Sequence, residues 1–259
     1  MIISLKRKIL IYSNSILLSS ALLMTSCKTA VVNHQIDAKN WVIDANITEK
    51  NEIVAYIEPY KQHIDQQMSQ VLSHASETMD KTQGKWETTI GNLFAEAVMQ
   101  EANPIFYART GKNIDICMLN FGGVRSIISQ GEVTTRHAFD IMPFENSAVV
   151  MEMNGTLIRE MAEFFIQDKK AHPLAGITIH IDENQKITQI YIGDQPLDLN
   201  QTYYVVTNDY LSLGGDNMRF FLKAQAVTDL DYKLRNILLD YFKKTPELPI
   251  ITTKHVIEP

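Results

Sequence analysis

Apolar residues recur at helical spacing in several parts of the chain. Ile53, Ile57 and Ile64 are four and seven residues apart, so they fall on one face of a helix. A second apolar stripe is expected to end at Asn103-Pro104, because proline lacks the backbone N–H that a helix interior needs. The pattern predicts helices over 51–70, 89–102, 156–167 and 229–243, the third after an Asn154-Gly155 turn and the last capped by Thr228 or Asp229.

Shorter apolar runs predict strands between these helices. Ile177, Ile179 and Ile181 alternate with other residues before the polar stretch "DENQ", and apolar residues resume at Ile187, so these two segments predict a hairpin. Strands and helices mixed in this order predict an α+β (mixed α/β) fold with a mixed sheet flanked by helices. The predicted strands lie around 41–47, 114–119, 147–153, 176–181, 187–192 and 203–207.

The chain carries no internal repeat, no low-complexity tract and no linker rich in proline, glycine or serine. We therefore expect a single domain over 51–245, long enough to bury a sizeable core. A polar tether and first strand over 27–50 are expected to precede this domain, and a tail over 246–259 to follow it.

The first 26 residues have the pattern of a secretory signal. Lys6, Arg7 and Lys8 form a basic head, and an apolar run then leads to the small residues of "LMTSC". This exit resembles the lipobox of bacterial lipoproteins. The resemblance implies lipid on Cys27 and anchoring to a membrane of the bacterial cell envelope, facing the periplasm or the exterior. A plain cleaved signal, in which Cys27 has no role, is the alternative.

Charge and cysteine content narrow the function classes. The whole chain has a formal net charge of −6, and removing 1–26 takes away three cations and no acids, which leaves −9. So acidic a chain argues against general nucleic-acid binding, which depends on basic patches. Cys27 and Cys117 are the only cysteines, so no disulfide framework is expected, and Cys117 is expected to be an inert buried thiol.

The segment "LNFGGVRS" ends a predicted strand with an asparagine, two adjacent glycines and an arginine. Gly122 and Gly123 allow backbone N–H groups to approach an anion closely. Arg125 offers a planar set of donors that fits phosphate or carboxylate. An ordinary tight turn beside a solvated arginine is the alternative.

Five motifs taken together resemble the C-terminal, substrate-binding domain of the 5′-nucleotidase family. That family includes bacterial UDP-sugar hydrolase/5′-nucleotidase and animal ecto-5′-nucleotidase. The motifs are "ETTIGNLFAEAV", "LNFGGVRS", "MPFENS", "HPLAGITI" and "NDYLSLGGDNM", and the resemblance runs from about residue 50 to about residue 245. It implies that this chain binds a nucleotide or nucleoside.

The resemblance also implies roles for individual residues. Asn120 and Arg125 match positions that face the nucleotide, although the neighbouring Phe121 replaces a glycine of the family motif. Phe144 and Tyr210 match aromatic positions on the two faces of the base. The alternatives without a ligand are that Phe144 packs in the core and that Tyr210 is an ordinary surface aromatic. The other matched positions are the base-edge contact Asn146, the pocket glycine Gly176 and the ribose-binding Asp216.

The chain departs from the family in two respects. In "MDKTQGKWETT" it has Lys81 and Lys85 where the family places phosphate-binding arginines, and these lysines are expected to be solvated. None of its seven histidines lies in a dinuclear metallophosphatase motif. We therefore expect no catalytic residue and no metal in this chain, and divalent metals in a partner metallophosphatase.

Three functions remain open. The favoured one is the nucleotide-binding half of a 5′-nucleotidase-type phosphohydrolase in nucleotide catabolism, working with a separate metallophosphatase chain. The second is a non-catalytic nucleotide- or nucleoside-binding lipoprotein of the cell envelope. The third is an autonomous hydrolase with a metal site that the sequence does not reveal.

Overall fold

The structure, a computed structural model, describes residues 38–44 and 47–259. The predicted signal, Cys27 and most of the predicted tether lie outside this range. The chain divides into two units, Met1–Ile53 and Val54–Pro259. Residues 38–44 have no regular secondary structure, so residues 41–44 do not form the strand that was predicted around 41–47. Within the described range, every helix is too short or too polar to cross a membrane.

The described residues form six α-helices, and three of the four predicted helices begin within one residue of the expected position. α1 has no buried residue, and α4 begins after the N-cap Asn154, whose side chain accepts a hydrogen bond from the backbone N–H of Leu157. The short helices α3 and α5 were not predicted. The helices are α1 (Asn51–Met68), α2 (Thr89–Thr110), α3 (Thr135–Ile141), α4 (Gly155–Asp168), α5 (Asp209–Ser212) and α6 (Leu234–Lys244).

Helix α2 continues past Asn103-Pro104, so the predicted end at this dipeptide is wrong. It begins after Thr88, whose hydroxyl accepts from the N–H of Gly91, and ends at Gly111 in the left-handed conformation, with φ of 72°. Ala102 and Phe106, on either side of the proline, are both buried in the core. Burial of these two side chains offsets the backbone hydrogen bond that the helix loses because Pro104 has no N–H.

Twelve strands form three sheets in the described part of the chain. The central sheet has five strands in the order β10-β4-β9-β2-β5, and the other two have the orders β11-β1-β3 and β12-β6-β7-β8. The strands are β1 (Val71–Ala75), β2 (Ile116–Met118), β3 (Gly131–Thr134), β4 (Ser147–Asn154), β5 (Leu174–Ala175), β6 (Ile177–Ile181), β7 (Ile187–Ile192), β8 (Gln195–Pro196), β9 (Thr202–Asn208), β10 (Ala226–Lys233), β11 (Glu247–Leu248) and β12 (Val256–Ile257). The predicted hairpin around "DENQ" is the antiparallel pair β6–β7, and the α+β fold class is confirmed.

The inner strands of the central sheet are buried on both faces. In β2, Cys117 belongs to the core cluster that includes α2 and α6, whereas its neighbours Ile116 and Met118 belong to the cluster that includes α4 and the β6–β7 hairpin. The same alternation holds in β4, where Val150 and Met151 face opposite clusters. Strands buried on both faces are apolar almost throughout, which explains the continuous apolar runs in the sequence.

The fourth predicted helix begins later than expected. Residues Ala226–Lys233 form the edge strand β10, which pairs with β4 and aligns Asp229 with Val149. Helix α6 then starts at Leu234. Pairing with β4 supplies the backbone hydrogen bonds that the first turns of the predicted helix would have made.

Candidate functional site

Three chain segments meet at one edge of the central sheet. β2 and β9 are parallel, so the residues that follow them, beginning at Leu119 and Asp209, lie at the same edge. β4 is antiparallel to β9 and aligns Ala148 with Asn208, so the residues before β4 also lie there. The topology therefore brings together "LNFGGVRS", "MPFENS" and "NDYLSLGGDNM", although they are far apart in sequence.

These segments enclose a cavity of about 400 Å³. Six of the seven predicted ligand-contacting residues line it, together with Gly122 and Gly123 of the glycine pair. Two further lining residues, Met142 and Asn208, were missed by the sequence analysis. The six predicted residues are Asn120, Arg125, Phe144, Asn146, Tyr210 and Asp216.

One wall of the cavity is a short 3-10 turn, Phe121–Gly123, which we call the glycine turn. Asn120 precedes it and is buried, and its carbonyl accepts a hydrogen bond from the N–H of Gly123 at 3.0 Å. A Cβ on Gly123 would lie 2.7 Å from Oδ1 of Asn120, closer than side chains tolerate. Glycine at 123 is therefore what lets the Asn120 amide lie against the turn.

Asp216 is held by two other predicted residues. Nδ2 of Asn120 donates to Oδ2 of Asp216 at 2.7 Å, and the hydroxyl of Tyr210 donates to Oδ1 at 2.9 Å. The backbone N–H of Asp216 donates back to the Tyr210 hydroxyl at 3.2 Å, in a segment where Asp216 adopts a φ of 50°. These bonds fix an exposed carboxylate at the cavity, where it can accept hydrogen bonds from ligand hydroxyl groups.

Two asparagines organise the opposite side of the cavity. Nδ2 of Asn146 donates to Oδ1 of Asp209 at 2.7 Å, which joins the segment before β4 to the start of α5. Asn208 is buried and caps α5, with its Oδ1 accepting from the N–H of Leu211 at 2.8 Å. Asparagine is a preferred N-cap residue, so Asn208 could have indicated the start of a helix. Helix α5 is only four residues long, too short to be predicted from apolar periodicity.

Two aromatic rings line the cavity without being buried. Phe144 is 43% exposed and Tyr210 is 47% exposed, so core packing does not account for Phe144. The ideal Cβ position at Gly215 is 2.5 Å from the Tyr210 ring, so only glycine at 215 lets this ring lie against the chain. Cζ of Arg125 lies 5.9 Å from the centroid of the Phe144 ring, and Nη1 donates to the carbonyl of Gly122 at 3.3 Å.

Lys81 supports the glycine turn, so the prediction that it is solvated is wrong. Its ammonium group donates to the carbonyls of Val124 at 2.5 Å and of Phe121 at 3.5 Å, and lies 4.5 Å from the centroid of the Phe121 ring. Burial, with the nearby charge of Arg125, lowers the pKa of Lys81. Phe121, where the family has glycine, therefore packs against this lysine.

Lys85 is exposed as predicted and forms an ion pair with the side chain of Glu258. Cys117 is a free, fully buried thiol, and burial raises its pKa far above the usual range, as expected for an inert cysteine.

Gly176 is not among the residues that line the cavity. Its φ of 79° and the carbonyl of Asp115, which would lie 2.0 Å from an added Cβ, explain why this position is glycine.

No three His, Cys, Asp or Glu side chains come together to hold a metal ion anywhere in 38–44 or 47–259. The donor set of the described residues thus does not fit the dinuclear metal centre that the family resemblance implies for full-length members.

Comparison with known proteins identifies relatives that are longer than this chain. A cell wall protein of Listeria monocytogenes is 28% identical over 75% of this chain, which spans 27% of that protein. The 5′-nucleotidase of Vibrio vulnificus is 26% identical over 83% of this chain and 39% of its own length. In fold, this chain is similar to the 5′-nucleotidase precursor of Thermus thermophilus, with a TM-score of 0.67 at 22% identity. The match covers 80% of this chain and 42% of the length of the precursor.

The model of the 5′-nucleotidase C-terminal domain matches residues 66–223, which include all three segments that form the cavity. Because this match covers more than half of the chain, the protein belongs to the 5′-nucleotidase C-terminal domain family.

Proposed function

We propose that this chain is the nucleotide-binding half of a 5′-nucleotidase-type phosphohydrolase and that a separate metallophosphatase chain supplies the metal-dependent step. One observation carries the proposal: the cavity combines two half-exposed aromatic rings with a fixed carboxylate and an arginine. Phe144 and Tyr210 would stack on a nucleobase, and Asp216 would accept hydrogen bonds from ribose hydroxyls. Arg125 would donate to the phosphate.

The cavity is large enough for the nucleoside part of such a ligand. Binding sites for small molecules measure about 300–1,000 Å³, and this one measures about 400 Å³. Asn146 is already bonded to Asp209 through one of its amide protons, which leaves its other amide proton and its oxygen for the edge of a base.

We place the metal-dependent step on a separate metallophosphatase chain as part of the proposal; within 38–44 and 47–259, no three His, Cys, Asp or Glu side chains are grouped so that they could hold a metal ion. This chain would bind and orient the nucleotide, and the partner would supply the divalent metals that polarise the phosphate and activate water. The chain spans 27% of the Listeria cell wall protein and 39% of the Vibrio 5′-nucleotidase. Shares of this size are compatible with such a division.

A non-catalytic envelope lipoprotein that binds nucleotides or nucleosides is the alternative. For both functions we propose lipid on Cys27 and anchoring in the bacterial cell envelope, supported by the lipobox-like "LMTSC". The same cavity serves either function, so binding alone does not separate them.

The experiment that separates them measures phosphate release from AMP and UDP-glucose with added divalent metal. The purified chain is assayed alone and together with a candidate metallophosphatase, and calorimetry records the binding of AMP and adenosine. We expect binding by the chain alone, and phosphate release only with the partner. Metal-dependent turnover by the chain alone, abolished by substitutions within it, would instead establish an autonomous hydrolase.

A further inference from the structure

A buried histidine supports the glycine turn from behind the cavity. His172 is 3% exposed and is not among the cavity-lining residues. Its Nδ1 accepts a hydrogen bond from the backbone N–H of Phe121 at 3.0 Å, and its Nε2 lies 2.9 Å from Oδ2 of Asp168. Since Asp168 ends α4, these two contacts tie the glycine turn to that helix.

The two contacts determine which ring nitrogen carries the proton. A backbone N–H can only donate, so Nδ1 of His172 must be unprotonated to accept from Phe121. The single proton of the neutral ring then lies on Nε2, where the carboxylate of Asp168 accepts it. The rings of Phe164 and Phe165, with centroids 6.0 and 5.9 Å from that of the imidazole, help to bury the imidazole.

We infer that His172 is a positioning residue for ligand binding, which holds the glycine turn in its binding geometry, and that Asp168 acts through it by fixing its tautomer. The inference rests on the proposed function, because nucleoside affinity is the property that reports the position of the turn. If the bond to Phe121 is lost, a partly buried N–H is left without its acceptor, and the turn moves to find another. The fraction of molecules competent to bind then falls, and the apparent affinity falls with it.

Protonation of His172 has the same consequence. Burial lowers the pKa of His172 and the nearby Lys170 acts in the same direction, whereas Asp168 and Asp216 favour the charged ring. The neutral ring that the turn requires is therefore present near neutral pH. As the pH falls through the lowered pKa, Nδ1 gains a proton and can no longer accept from Phe121, so affinity is expected to fall with pH.

Two substitutions test the hydrogen bonds of the two ring nitrogens of His172 separately. In His172→Asn the amide oxygen lies near the position of Nδ1 and can still accept from Phe121. In His172→Gln the amide reaches toward Asp168 but offers no acceptor at the Nδ1 position. His63→Asn, at an exposed histidine of α1, is the matched control.

The experiment measures adenosine affinity by calorimetry between neutral and mildly acidic pH, since adenosine carries no phosphate that titrates there. We expect His172→Asn and His63→Asn to bind like wild type at neutral pH, and His172→Gln to bind about five- to tenfold more weakly. The loss of affinity at acidic pH should occur in wild type and in His63→Asn but not in His172→Asn. Equal affinities for His172→Asn and His172→Gln, or the same pH profile in wild type and His172→Asn, would overturn the inference.

A ligand-free measurement separates this inference from the proposed function. Nitrogen NMR of the wild type should show the His172 proton on Nε2, and the Phe121 amide should exchange slowly in wild type and His172→Asn but quickly in His172→Gln. A proton on Nδ1, or fast exchange of that amide in wild type, would refute the positioning role even if adenosine binds. Failure of the wild type to bind AMP or adenosine refutes the proposed function, and with it the role in binding, whatever the state of the turn.

Discussion

Replacing Phe144 with alanine removes one of the two aromatic faces that line the cavity. Phe144 is 43% exposed in the ligand-free structure, so much of its ring is available to a base. For an aromatic residue with a total area of about 200 Å² this fraction is roughly 90 Å². Covering all of it contributes about 2 kcal/mol at about 25 cal/mol per Å², and covering one face contributes about 1 kcal/mol.

The expected result is that Phe144→Ala binds AMP and adenosine about five- to thirtyfold more weakly than wild type, measured by calorimetric titration. Both ligands should lose similar affinity, since both carry the base. Phe144→Leu keeps apolar bulk and loses the aromatic face, so it should recover only part of the loss. Tyr107→Ala, at an exposed aromatic of α2 outside the cavity, should bind like wild type.

Tyr210 allows a second test of the same arrangement. Tyr210→Ala should lose affinity like Phe144→Ala, whereas Tyr210→Phe keeps the ring and removes only the hydroxyl that donates to Asp216. We expect Tyr210→Phe to lose less than Tyr210→Ala, because stacking is retained. A wild type that binds AMP while all of these variants bind it equally well would place the ligand elsewhere and refute the base-stacking argument.

Three further substitutions test other parts of the proposal. Arg125→Lys keeps the charge but loses the planar set of donors, so calorimetry should show a larger loss of affinity for AMP than for adenosine; equal losses would remove Arg125 from the phosphate. Gly123→Ala places a Cβ 2.7 Å from Oδ1 of Asn120 and should weaken adenosine binding by about tenfold. In Gly122→Ala the closest contact of the new Cβ is 3.5 Å, so this variant should bind adenosine like wild type. A larger loss of affinity in Gly122→Ala than in Gly123→Ala would contradict the geometry of the glycine turn. Cys27→Ala should release the protein into the soluble fraction or leave its signal uncleaved, and unchanged membrane partition with no lipid mass on Cys27 would exclude the lipobox.

Local sequence patterns predicted about half of the helices and strands in the described part of the chain. The alternation around "DENQ" predicted the β6–β7 hairpin, and the Asn154-Gly155 turn correctly marked the start of α4. These predictions succeeded because alternation and capping depend on residues close together in the chain. The family motifs likewise identified six residues that line one cavity, because each motif is a short contiguous segment.

The predictions that failed depended on contacts between distant residues. Helix α2 passes Pro104 because Ala102 and Phe106 are buried in the core, and Ala226–Lys233 form a strand because β4 offers them backbone partners. Lys81 is held by the carbonyls of Phe121 and Val124 rather than solvated. Intrinsic propensity is a weak preference that such tertiary contacts override.

The sequence by itself determined the fold class, the family and the residue types available to a ligand, since periodicity and short motifs are properties of neighbouring residues. The tertiary structure alone decided how those residues cooperate. The parallel pairing of β2 with β9 brings Asn120 to Asp216, and the end of α4 brings His172 to the backbone of Phe121. Neither contact can be read from the chain, because each joins residues about 50 to 100 positions apart that only the packed sheet and helices place within hydrogen-bonding distance.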